Sequence, residues 1–145
     1  MEIGVLGYSG SKNIGDYIQT KAVIDILNRQ NIKILDREKL NNYKGNRIKT
    51  IVNGWFMESP ENWPPSSNIY PLFISFHINP AVKDTFTSQD SINYFKKYEP
   101  IGCRDYYTRD LLLEHGINAY FSSCVTLGIK LSLIHISEPT RHLLI

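Results

Sequence analysis

Five short stretches of this chain set charged or hydroxyl-bearing side chains directly behind apolar runs. They are Tyr8 to Asp16, Asn53-Gly54, Ser75 to His77, Arg104-Asp105, and Ser122 to Thr126. An apolar run with a polar stop reads as a strand end. In a parallel sheet those ends all point one way, so topology alone gathers the stretches on one rim, where α/β proteins bind ligands.

Arg104 is the strongest catalytic candidate there. It follows Ile101-Gly102-Cys103 and precedes a helical pattern, where a planar guanidinium can hold a carboxylate or phosphate bidentately. The alternative is a structural ion pair to Asp105 or to a neighbouring loop. His77 is the second catalytic candidate, as an acid or base near neutral pH, although a lone histidine at a strand end is more often structural. Asn13, Gly15, Asp16, Asn53, Gly54 and Ser123 are expected to contact substrate. Asp16 suits a sugar hydroxyl or a proton, but also a helix cap, and the cap is the favoured expectation; Asp105 reads as a cap as well. Ser122-Ser123-Cys124 offers hydroxyls and a thiol with no base to activate the thiol, so packing is the better reading for the cysteine. Trp55 and Phe56 suit stacking on a sugar ring and packing in a core equally well.

The elements that must position these residues follow from periodicity. Ile3-Gly4-Val5-Leu6 is a strand, and GYSGSKNIGDYIQTK at 7–21 is a glycine-containing turn leading into a helix. Its spacing matches neither the dinucleotide fingerprint nor the phosphate loop. The helix is expected from about Asn13–Asp16 to Arg29, with Asn13 or Asp16 able to cap its start and Ile18, Ala22, Val23, Ile26 and Leu27 as its apolar stripe. Further strands are expected at 32–35, at 48–52 (ending at Asn53-Gly54), at 71–76, at 101–103 and at 119–122. Thr87 or Ser88 starts a helix running to about Tyr98, and a helix from Asp105 ends at Gly116. Strands alternating with helices give an α/β, Rossmann-like class with a largely parallel sheet.

Composition is that of an ordinary globular protein, with 42% apolar and 21% charged residues. A net charge of +2 without a dense basic cluster argues against nucleic acid as partner. The N-terminal stretch lacks a charged n-region, so no secretory signal is expected, and no apolar segment approaches the roughly 18 residues of a membrane span. Two widely spaced cysteines fit a reducing compartment, so a cytoplasmic location is expected. Residues 131–141, LSLIHISEPTR, resemble a translated sequencing-library adapter. Residues 131–145 are therefore expected to be a non-native tail, leaving 1–130 as the domain.

Three segments, NIGDYIQTKA at 13–22, VNGWF at 52–56 and IGCRDYYTRDLLLEHGINAYFSSCVTL at 101–127, resemble the polysaccharide pyruvyl transferase family. The resemblance covers the N-terminal part of a family member. It implies a GT-B-like enzyme of two Rossmann-like domains, of which this chain is a truncated N-terminal half, incomplete and inactive by itself. The reaction implied moves the pyruvyl group of phosphoenolpyruvate onto a saccharide as a ketal, in cell-surface polysaccharide synthesis. Phosphoenolpyruvate is then a substrate, with no cofactor. Arg104 matches the family arginine suited to the anionic donor, and Asn13, Gly15 and Asp16 match its first loop. Peripheral membrane association is compatible with this reading. The alternatives are a GT-B nucleotide-sugar glycosyltransferase and a non-catalytic α/β module that binds a sugar or nucleotide.

Overall fold

The structure is a computed structural model that describes residues 2–125. The expected non-native tail, 131–145, lies outside the described residues, as does Thr126. The described elements are strands β1 (Glu2–Gly7), β2 (Ile32–Asp36), β3 (Ile48–Phe56), β4 (Ile69–Ile78), β5 (Ile101–Cys103) and β6 (Ala119–Phe121), with helices α1 (Ile14–Leu27), α2 (Lys83–Phe86), α3 (Gln89–Tyr98) and α4 (Tyr106–Glu114). The strands form one sheet in the order β2-β1-β3-β4-β5-β6, and every pair is parallel. Strand order reverses between β1 and β3, and that switch point is where such a sheet opens a crevice beyond its carboxyl ends.

Several sequence expectations hold in atomic detail. Asp105 caps α4 by accepting from Thr108 N at 2.8 Å, and Ser88 caps α3 through Ser91 N. Gly116 follows α4 with a φ of 77°. The strand ends and the buried face of the first helix change. β3 does not stop at Asn53-Gly54; its pairing with β4 shifts between Val52 and Gly54 and then continues to Phe56. A bulge of this kind re-aims the strand without ending it, and Gly54, at a φ of 85°, supplies the backbone conformation. β4 likewise begins at Ile69 and carries Pro71 internally, where β5, which meets β4 at Phe76, offers no second neighbour.

The second change concerns α1. Ala22 and Val23 are buried, but Ile18 and Ile26 are 44% and 51% exposed, and the other buried positions are Asp16 and Gln19. The face turned to the sheet runs through 16, 19, 22 and 23, so its first turns are polar. That orientation is tolerable because both polar side chains find partners beneath the rim, and hydrogen-bonded polar groups can be buried at little net cost.

The sheet buries two unequal cores. One is aromatic: Trp63 lies 4.6 Å from Phe86 and 5.6 Å from Phe95 by ring centres, with Phe56, Phe73 and Phe76 around it. The other is small and aliphatic, with Val5, Ala22, Val23 and Val125 at its centre. Phe56 thus belongs to the core, while Trp55, on the alternate side of the strand, is half-buried at the rim.

Candidate active site

Beyond the switch point a cleft of about 400 Å3 is lined by Ser11, Lys12, Asn13 and Asp16 after β1, Trp55 and Glu58 at the end of β3, and Arg104 after β5. The loop before α1 is held by its own side chains. Asn13 is the cap, its Oδ1 accepting from Gly15 N at 2.9 Å, while Ser11 Oγ donates to Asp16 Oδ2 at 2.5 Å. The favoured cap role for Asp16 therefore passes to Asn13. Asp16 turns inward because a cation waits below it.

That cation is Arg37, the first residue after β2. Its side chain is 3% exposed; Nε donates to Glu38 Oε2 at 2.5 Å, Nη1 donates to Trp55 O at 3.2 Å, and Asp16 Oδ1 stands 3.7 Å from Nη1. The guanidinium carbon lies 4.6 Å from the Tyr8 ring centre and 5.2 Å from that of Trp55, an arrangement in which a flat cation gains from both π faces. Glu38 in turn accepts from the backbone N–H groups of Glu58 and Ser59. One buried arginine thus fixes three parts of the cleft: Asp16, Trp55 and the 58–59 loop. Sequence reasoning passed over Arg37 as part of a polar turn. The signal was present, since Arg37 follows a strand end just as Arg104 does.

Arg104 is half-buried, its backbone N–H bonded to Phe76 O at 2.9 Å. Among the described residues its guanidinium enters no ion pair. Asp105, the expected alternative partner, is taken twice over: Oδ1 caps α4, and Oδ2 meets His77 Nδ1 at 2.5 Å. His77 is further fixed by Thr108 Oγ1, 3.4 Å from the same ring nitrogen. His77 does not line the cleft, but it pairs in register with Trp55, which does.

The remaining candidates support the rim from beneath. Asn53 is buried, donating from Nδ2 to Gln19 Oε1 at 3.3 Å, and its carbonyl accepts from the Tyr8 hydroxyl at 3.5 Å. Burial raises the Tyr8 phenol above its ordinary pKa, with Arg37 pulling the other way, so it stays a donor. A Cβ on Gly54 would lie 2.9 Å from both Gln19 Oε1 and the Tyr8 hydroxyl. The Ser123 carbonyl accepts from Ser75 Oγ, and both serines have left-handed backbone, at φ 59° and 55°. Cys103 is buried, and burial first, then Asp105, pushes its thiol up to about 12, which removes it as a nucleophile. Of the sequence candidates, the structure brings Asn13, Asp16 and Arg104 into one cleft, with Gly15 in the capped turn. His77, Asn53, Gly54 and Ser123 do not line it.

Among the described residues, no group of three or more His, Cys, Asp or Glu is placed to hold a metal ion, and no helix is long and apolar enough to cross a membrane. Comparisons with curated proteins and with solved structures return no match. The family model described as polysaccharide pyruvyl transferase matches residues 13–142. The chain belongs to the polysaccharide pyruvyl transferase family. The match opens on Asn13, the cap of the cleft loop, and takes in Trp55 and Arg104 as well. For a pyruvyl transferase, the cations that line this cleft are Lys12 and Arg104.

Proposed function

We propose that this cleft receives phosphoenolpyruvate, and that the protein transfers its pyruvyl group to two hydroxyls of one saccharide as a ketal. Family membership implies a saccharide acceptor and a transferase; the donor is our reading of the cleft. The observation that carries it is Arg104, a rim guanidinium outside every described ion pair, in a cleft that also holds Lys12. Phosphoenolpyruvate brings a carboxylate and a phosphate on one small frame, and two separate cations match that demand.

In the net reaction the methylene carbon gains a proton and the carbon–oxygen bond to phosphate breaks. Two carbon–oxygen bonds form to the saccharide, and each hydroxyl loses its proton: one balances the proton gained by the methylene carbon and the other departs on inorganic phosphate. Arg104 and Lys12 neutralise the donor and steady the phosphate as it departs. His77, held by Asp105 and Thr108, does not line the cleft but pairs in register with Trp55, which does, and we assign it the positioning of that wall. In a two-domain, GT-B-like arrangement a second domain would face this rim and complete the donor contacts. The same reading places the step in the cytoplasm, where phosphoenolpyruvate is made, and its product among cell-surface polysaccharides.

The test is acceptor-dependent phosphate release from phosphoenolpyruvate by the full-length protein. Arg104→Lys keeps the charge but loses the fork, and is expected to lower kcat/KM by about tenfold, one charged hydrogen bond being worth about 1.5–3 kcal/mol. Arg104→Ala should lose more with its circular dichroism unchanged. A folded, fully active Arg104→Ala overturns the assignment, and release of a nucleoside diphosphate in place of phosphate overturns the reaction.

A further inference from the structure

A second cleft, of about 370 Å3, opens at the carboxyl ends of β1 and β2, on the other side of the 8–17 segment. The segment is a shared wall: Ser11 and Asp16 face the first cleft, and Ser9 and Tyr17 line the second. The two differ in character. The first holds Lys12 and Arg104. Among the described residues the second is lined by no cation, and its single charged lining residue is Asp36, which disfavours an anionic donor there. Among its other walls are Tyr17, Ile34 and the bare backbone of Gly7, where a Cβ would lie 2.5 Å from Ile34 Cγ2.

Tyr17 is 50% exposed, yet its hydroxyl donates to Ser11 O at 2.7 Å. The ring is thus a fixed plate, and a ligand lying on it need not freeze a mobile side chain. Ile34, 60% exposed, extends the apolar floor. Asp36 is held too: Oδ1 accepts from Glu38 N at 2.9 Å, while Oδ2 has no hydrogen-bond partner among the described residues and stays available to a hydroxyl. An aromatic plate with an anchored acceptor at its edge fits a molecule with apolar C–H faces and a hydroxyl-bearing rim.

We propose that this second cleft is the acceptor subsite, in which a pyranose ring of the saccharide lies on Tyr17 and gives a hydroxyl hydrogen bond to Asp36. The assignment rests on the pyruvyl-transfer reading, because that reaction needs a diol held beside the donor. The shared wall sets the anchor beside the donor cleft: a saccharide with one ring on Tyr17 presents the diol of its neighbouring residue past the loop to Lys12 and Arg104. A nucleoside ribose has the same diol chemistry, and the experiment separates the two sources.

Saturation-transfer NMR on the full-length protein would titrate methyl β-D-glucopyranoside, methyl β-D-galactopyranoside, methyl β-D-mannopyranoside and uridine, with phosphoenolpyruvate titrated separately. At least one pyranoside is expected to bind the wild type. Tyr17→Ala should weaken it by about fivefold to tenfold, the scale of one aromatic contact. Asp36→Asn keeps an oxygen for Glu38 N and should weaken it by a smaller factor. Ile34→Lys, at an exposed strand position, should obstruct the cleft and serves if Tyr17→Ala is misfolded. Arg104→Ala should leave pyranoside binding unchanged while reducing phosphoenolpyruvate binding. No pyranoside binding, binding indifferent to both Tyr17→Ala and Ile34→Lys, or uridine alone binding there overturns the subsite. Failure of phosphoenolpyruvate to bind, with pyranoside binding intact, overturns the donor assignment instead.

Discussion

Two arginines follow strand ends on the same rim, and their surroundings are opposite. Arg37, after β2, is buried between the Tyr8 and Trp55 rings, with Glu38 bonded to it and Asp16 facing it. Arg104, after β5, is half-buried, and the carboxylate next to it in sequence is committed to His77 and to a helix cap. A cation taken out of water needs partners in the fold, so Arg37 is built into the scaffold of the cleft. A cation left at the rim without an ion pair keeps its hydrogen-bonding capacity for a ligand. Position along the strand is the same; burial decides the role.

The contrast can be broken most sharply by stability measurements. Arg37→Met leaves Asp16 and Glu38 without their cation, and breaking a buried pair costs about 3–5 kcal/mol. Urea unfolding should show the largest loss of any rim substitution, and a loss under about 1 kcal/mol, the range of an exposed pair, would place Arg37 with Arg104. Gly54→Ala comes next. It forces a Cβ to 2.9 Å from Gln19 Oε1 and the Tyr8 hydroxyl at a backbone angle that favours glycine, and a cost of about 1–3 kcal/mol is expected. An unchanged midpoint would mean that the bulge in β3 relaxes freely.

Asp105→Ala removes the α4 cap and the His77 partner together. A lost cap costs about 1 kcal/mol, and phosphate release should fall by more than that loss of folding explains. Equal activity per folded molecule would make the His77–Asp105 pair purely structural. The smallest expected effect on folding is that of Arg104→Ala, within about 0.5 kcal/mol of wild type. That variant joins a near-silent melt to the largest loss of turnover, and a melt as damaged as that of Arg37→Met would erase the distinction.

Local chemistry made much of the fold legible. The strand–helix alternation, the caps at Ser88 and Asp105, and the Gly116 stop depend on interactions within a few residues, which sequence spacing records directly. The convergence of Asn13, Asp16 and Arg104 was also readable, because a parallel sheet puts all its strand ends on one rim. The run of β3 past Asn53-Gly54 was not readable, since a bulge exists only against a paired neighbour. The buried face of α1 was hidden for a related reason: Asp16 and Gln19 look like surface residues until Arg37 and Asn53 are placed beneath them.

Sequence by itself determined that this chain is an α/β protein with a polar rim, and it pointed to Arg104. Only the tertiary structure decided that Arg37 is scaffold, that Asn13 rather than Asp16 is the cap, and that Asp105 belongs to His77. The physical reason is burial. Residue type fixes what a side chain can bond to, but water competes for every such bond, and which groups are withdrawn from water depends on contacts between residues far apart in the chain.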